Sequence, residues 1–177
     1  MRTKMLFHGV AAALALALGQ GASAACQGGE NPAVPASTPS ERFVDQGNGL
    51  VLHLPTRLIW QRCPLGQSWT GTACSGEADL LDWSAALQTA DAHEQAGFDD
   101  WRLPDRKELA SIVETRCHSP AVNGAIFPDH PISAFWTASP ASDAADAAWS
   151  IDFVEGAIQF ESDSQLRAVR LVRGGRR

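Results

Sequence analysis

The sequence predicts an α+β domain, in which short strands, two helical segments and a second set of strands follow one another along the chain. Three observations carry this. Apolar runs within residues 43–60 are separated by turn signals, residues 82–116 show helical spacing twice, and residues 148–172 return to alternation. That order is not the βαβ repeat of a parallel sheet, and no internal repeat is present.

The N-terminus reads as an export signal. Arg2 and Lys4 precede an unbroken run of Val, Ala and Leu over residues 10–18, and Ala22, Ser23 and Ala24 supply the small residues of a cleavage site. The run is far shorter than the roughly 20 apolar residues of a spanning helix. Residues 1–24 are therefore expected to be a cleaved signal, which places the mature chain in the periplasm or outside the cell, without a transmembrane segment. Cys26 follows small residues, so a lipoprotein is the minor alternative, although the Leu usual three positions earlier is missing.

Residues 25–41, rich in Pro, Gly and Ser, read as an extended N-terminal arm or linker. The folded domain is expected over residues 42–173, followed by a basic tail at 174–177. Within it, residues 43–44, 50–54 and 58–60 form a three-stranded meander. Its first turn carries Asn48-Gly49, where both residue types accept positive φ.

Four cysteines in an exported chain suggest two disulfides, with three possible pairings. Cys63 and Cys74 flank a Gly-containing segment that can double back, which leaves Cys26 with Cys117. Zinc is the competing reading, and the absence of any CxxC spacing disfavours it.

Asp82 is a good N-cap for a first helix, with Trp83, Ala86, Leu87 and Ala90 on one face and Gly97 closing the segment. Asp105 and Glu108 form a capping-box pattern directly after Pro104. The second helix they open should carry Leu109, Ile112 and Val113 and stop before Cys117. Residues 118–134 hold three prolines and read as an irregular loop. Residues 135–138, 148–154, 157–160 and 167–172 read as strands. Trp149, Ile151 and Phe153 alternate with Ser150 and Asp152, and Val169 and Leu171 alternate with Arg170.

The stretch GFDDWRLPDRKEL at residues 97–109 resembles the signature of the Legionella collagen-like protein C-terminal domain family. The resemblance extends over residues 42–173: the opening meander and Cys-flanked loop, the LDWSAAL helix, and the closing segments FPDHPISAFWTASP, AWSIDFVEGAIQF and VRLVR. It implies a C-type-lectin-like fold related to the formylglycine-generating enzymes, with two helices beside mixed strands and the first and last strands adjacent. The member that names the family is an adhesin for sulfated glycosaminoglycans. This chain departs from its relatives in containing no Tyr.

Composition narrows the partners. The formal net charge of −6 becomes more negative once Arg2 and Lys4 are removed, which argues against nucleic acid. Arg167, Arg170, Arg173, Arg176 and Arg177 are the one basic cluster and could hold an anion if they converge. Trp60, Trp83, Trp101, Trp136 and Trp149 are expected in the core, whereas Trp69, in the Cys-flanked loop, is the tryptophan expected at a ligand. A binding surface is further expected on the loop 139–148 and the segment 159–167, with Asp143, Asp146, Gln159, Glu161, Asp163 and Arg167 as its candidates. Trp101, Arg102, Pro104, Asp105 and Glu108 are expected to be structural, with Arg102 and Glu108 as a buried ion pair.

No catalytic residue, metal ligand or cofactor is expected. The EPN, QPD and WND motifs of calcium-dependent sugar binding are missing, and a structural calcium ion stays open for the scattered carboxylates. Cys117 with His118 or His130 would be a nucleophile pair only if Cys117 were free. Formylglycine-generating chemistry needs two late cysteines, and none follows Cys117. The expected function is a non-catalytic, adhesin-like binding module for a surface glycan or an envelope protein. A structural envelope component is the rival reading, and an oxidase of the formylglycine-generating type comes third.

Overall fold

The computed structural model describes residues 25–142 and 145–175. The signal-peptide reading, Asp143, Arg176 and Arg177 lie outside the described residues. Among the described residues the fold is mixed and mostly strand, with two helices. In order they are β1 (Gly29–Glu30), a 3-10 turn (Ser40–Arg42), β2 (Phe43–Gly47), β3 (Leu50–His53), β4 (Leu58–Gln61), β5 (Ser68–Trp69), β6 (Cys74–Ser75), α1 (Trp83–Asp91), α2 (Arg106–Ala110), β7 (Cys117–His118), β8 (Ala134–Pro140), β9 (Ala147–Asp152), β10 (Ala157–Ser162) and β11 (Val172–Gly174).

The expected meander forms as β2–β3–β4, and the turn at Asn48-Gly49 has positive φ at both residues (52° and 74°). Its sheet has the order β11-β4-β3-β2. The first and last strands of the domain thus share a sheet but are not adjacent, which corrects the expectation. Tight turns make β3 the centre of the meander, so the outer edge of β4 is the one that β11 takes. A second sheet has the order β10-β9-β8.

Both helices begin where the caps predict. The Asp82 side chain accepts from Ala85 N, and Asp105 and Glu108 complete a reciprocal capping box. The second helix ends at Ala110, well short of Cys117. Ile112 is still fully buried, but Val113 leaves the helix to bridge Val122 and Glu114 turns inward to serve the N-terminal arm. Tertiary hydrogen bonds override helical spacing there.

Both expected disulfides are present, Cys63–Cys74 and Cys26–Cys117. A Cys26 sulfur bonded to Cys117 has no valence left for a lipid. The arm is not a loose linker. β1 pairs with β7, the Thr38 carbonyl accepts from Asn123 Nδ2 at 2.9 Å, and Ser37 and Thr38 converge on the fully buried Glu114 carboxylate. Glu114 accepts from both backbone amides and both hydroxyls of Ser37 and Thr38, and from Arg116 N. Burial alone would raise its pKa. The amides of Arg116, Ser37 and Thr38 more than offset this and hold it below the usual carboxylate range.

Residues 168–172 explain why the core is double. Ala168 and Val172 join one cluster with Trp60, Phe127, Phe135, Ile151 and Phe153. Val169 and Leu171 join another with Trp101, Leu103, Trp136 and Ala86. The predicted alternation is real, yet the face carrying Arg170 is a second core and not solvent. Arg170, 1% exposed, donates Nη1 to the carbonyls of Gln61 and Arg62 and lies over Phe127 and Phe135. Burial pushes its pKa down to about 9. The segment itself is only partly strand: Arg167 bridges Leu81 and Ala168 bridges Phe135 before β11 begins at Val172, which bridges Arg102.

His130 packs against Phe135 and Phe153 in the same cluster, with centroids 4.6 and 4.5 Å away. Its Nδ1–H donates to the Pro131 carbonyl, while Nε2 is buried without a partner. Burial first, then the charge of Arg170, lowers its pKa well below 6.5. Burial and Arg42 likewise lower that of His53 to about 4. A lowered folded pKa means the unfolded chain takes up the proton first. Stability is therefore complete above pH 6.5 and declines as pH falls below it, by at most about 1.4 kcal/mol per pH unit for each such histidine. Denaturant midpoints measured from neutral to mildly acidic pH should show this slope, and His130→Phe should flatten it. An unchanged slope in that variant would assign the dependence elsewhere.

Candidate functional site

A cleft of about 480 Å³ opens where three loops meet, and Trp69 lines it. The Cys63–Cys74 bridge closes the first loop over 11 residues, and β5 and β6 pair within it. Leu65 N–H donates to the Val169 carbonyl and Cys74 N–H to the Asp129 carboxylate, which anchor the loop to the body. Trp69 is half-buried, with the Arg62 guanidinium 5.3 Å from its ring centroid. Gly49 is required beneath it: at φ 74°, a Cβ there would sit 2.8 Å from the Trp69 Cβ.

The opposite wall comes from residues just after α1. A turn with positive φ at Ala96 and Gly97 brings Gln95 and Phe98 into a bridge, and this presents His93, Glu94 and Gln95 to the cleft. The floor is Gln61, 4% exposed at the end of β4. Its Oε1 accepts from Leu171 N–H at 3.2 Å, which fixes the amide's orientation. Its Nε2 then donates to His93 Nε2 at 2.8 Å and to Gln95 Oε1 at 2.6 Å. Gln95 in turn donates to the Asn48 carbonyl, and its own carbonyl accepts from Trp101 Nε1. The signature Trp101 thus braces the cleft from inside the core.

An indole, four side-chain amides (Asn48, Gln61, Gln67 and Gln95), an imidazole and a carboxylate meet here around one cleft. They offer an apolar face and neutral hydrogen-bonding groups, the combination that suits a polyhydroxylated ligand. Ser68 and His93 both line the cleft, but the His93 Nε2 lone pair is taken by Gln61. Among the described residues there is no free cysteine and no group of three or more His, Cys, Asp or Glu that could hold a metal ion.

The other sequence candidates lie elsewhere. Glu161 accepts from Arg167 Nε and Nη2, from Ser150 Oγ at 2.7 Å and from Gln159 Nε2 at 3.2 Å. The Arg167 guanidinium is the main reason its carboxyl is held below the usual range. Asp163 N–H donates to the Asp146 carbonyl, and the Asp163 carbonyl accepts from Trp83 N–H. Gln159, Arg167 and Ser150 thus serve Glu161, and Asp146 and Trp83 serve Asp163, so these candidates make contacts within the fold. The group ties β9 and β10 to the segment after them, and Trp69 is not part of it.

Among the described residues, Arg167, Arg170 and Arg173 do not converge. Arg167 serves Glu161, Arg170 is in the core, and Arg173 pairs with Asp100 at 2.6 Å and lies over Phe98. Among the tryptophans, Trp60, Trp101 and Trp136 are in the core as expected. Trp83 and Trp149 are only half-buried: Trp83 Nε1 donates to the Thr137 carbonyl, and Trp149 lies under the Arg106 guanidinium. Arg102 and Glu108 form a bidentate pair at 2.7 and 2.8 Å, but their side chains are 32% and 20% exposed. The pair is a half-exposed clamp that also holds the Gly174 carbonyl, not a buried ion pair. His118 is exposed and His130 buried, and Cys117 is in a disulfide, so no nucleophile pair forms.

Sequence reasoning found Trp69 but missed Gln61, His93 and Gln95. The only signal was a polar triplet, His93-Glu94-Gln95, ahead of Gly97, and amides carry no chemical signature by spacing. In comparison with known proteins, the model of the family described as the Lcl C-terminal domain matches residues 49–173. No curated protein matches the chain.

Proposed function

This chain belongs to the Lcl C-terminal domain family, and on that premise we propose that it is an exported, non-catalytic binding module of C-type-lectin-like architecture that takes a surface glycan in the Trp69 cleft. The observation that carries the reading is the half-buried Trp69 facing a fixed network of neutral amides at Gln61 and Gln95. Sugar rings offer an apolar face to an indole and hydroxyls to amides. The two disulfides engage all four cysteines, which supports binding over thiol chemistry. Export accords with both bridges and with the signal-like N-terminus.

The lining favours an uncharged or weakly charged glycan over a sulfated one. Glu94 is the charged residue on it, and Arg167 and Arg173 are occupied elsewhere. The test is a glycan array with the oxidised protein at two salt concentrations, followed by calorimetry on the strongest hit. Binding should be nearly independent of salt, and Trp69→Ala should weaken it by more than about tenfold, or about 1.4 kcal/mol. Wild-type affinity in Trp69→Ala would remove the cleft from consideration. Salt-sensitive binding to sulfated chains alone would favour a different surface.

A further inference from the structure

We propose that β10 is a self-association strand, along which a second copy of this chain adds antiparallel to form a two-fold dimer. β10 is the outer strand of its sheet, and among the described residues its far edge is unpaired. Natural edge strands are normally blunted by Lys, Pro, a bulge or a covering segment. β10 (Ala157–Ser162) has neither Lys nor Pro, and its pairing with β9 runs through all six residues without a bulge. Ile158 and Phe160 stand on one face at 50% and 58% exposure. Their ladder partners extend the apolar surface: Phe160 faces Trp149, with ring centroids 5.5 Å apart.

The second copy is the occupant because the strand is complementary to itself. In an antiparallel pairing centred on Gln159, Ile158 of each copy stands opposite Phe160 of the other. The two Gln159 amides meet on the opposite face, and each Glu161 stands opposite an Ala157. No like charges oppose one another. Glu161, the one ionised residue of the strand, is already neutralised by Arg167 of its own chain. Pairs of aromatic and branched apolar residues are among the favourable cross-strand neighbours, whereas like charges directly opposite are not. An isologous contact of this kind closes at two copies.

The proposal does not depend on the Trp69 cleft. It is tested by sedimentation velocity on the oxidised chain from nanomolar to high micromolar concentration, with hydrogen exchange read over residues 157–162. The expected result is a monomer–dimer equilibrium in which those amides gain protection as concentration rises. Phe160→Lys and, separately, Ile158→Lys should raise the dimer Kd by more than about tenfold. Ile132→Lys, at an exposed apolar residue off this strand, should leave it unchanged. A wild-type monomer throughout the range would overturn the proposal. So would a dimer that survives both β10 substitutions, or one whose 157–162 amides exchange at the monomer rate.

Discussion

Replacing Glu114 with alanine is expected to detach the N-terminal arm and destabilise the domain by about 3–5 kcal/mol, a large share of the total for a domain this size. Five donors from Ser37, Thr38 and Arg116 point at this one carboxylate, which is fully buried. Removing it leaves donors facing a void, and each buried, unsatisfied donor costs about 1–3 kcal/mol. Glu114→Gln keeps the volume but turns an NH2 group toward donors, so it should be destabilising as well. The readouts are the denaturant midpoint and the rate of proteolysis within residues 27–40. A midpoint within about 1 kcal/mol of wild type would mean that the arm is not part of the cooperative unit. The pH sign is clear. A carboxylate with a lowered folded pKa contributes fully above its ordinary value of 4.5, and the contribution is lost as pH falls through the folded value.

Removal of the Cys26–Cys117 bridge is the other large effect. It spans 91 residues, against 11 for Cys63–Cys74. In the chain-entropy model the longer bridge stabilises by about 4–5 kcal/mol and the shorter by about 3. The double variant Cys26→Ser, Cys117→Ser should therefore fall further in denaturant midpoint than Cys63→Ser, Cys74→Ser. Combining it with Glu114→Ala should cost less than the sum, because the bridge and the carboxylate hold the same arm. Strict additivity would show that they act on separate parts of the fold.

These expectations concern scaffold, and the scaffold is what was most legible along the chain. Turn chemistry at Asn48-Gly49, the caps at Asp82 and Asp105 and both cysteine pairs are local or arithmetic properties, and each appears in the structure. Trp69 was legible as the tryptophan of a polar loop. The rest of the cleft was not. Gln61 closes a strand, while His93 and Gln95 follow a helix more than 30 residues later, and only the three-dimensional path brings their amides and ring together.

The misreadings share one cause. Alternation in residues 167–172 reports two faces but not what covers each, and here both faces are covered, so Arg170 is interior. Periodicity after Ala110 favours helix, yet the Ser37 and Thr38 donors claim Glu114 and end it. The Pro- and Ser-rich composition of residues 27–40 reads as an extended arm or linker, and it does not show the buried carboxylate that docks it beside the expected disulfide. By itself, then, the sequence determined the α+β order, the helix starts, the meander turn, the covalent pairing and the family, because these depend on neighbours along the chain, on cysteine arithmetic or on a contiguous run of residues. Tertiary structure alone decided which faces are interior, which charged groups neutralise one another and where a ligand could enter, because desolvation and hydrogen-bond geometry are set by neighbours in space.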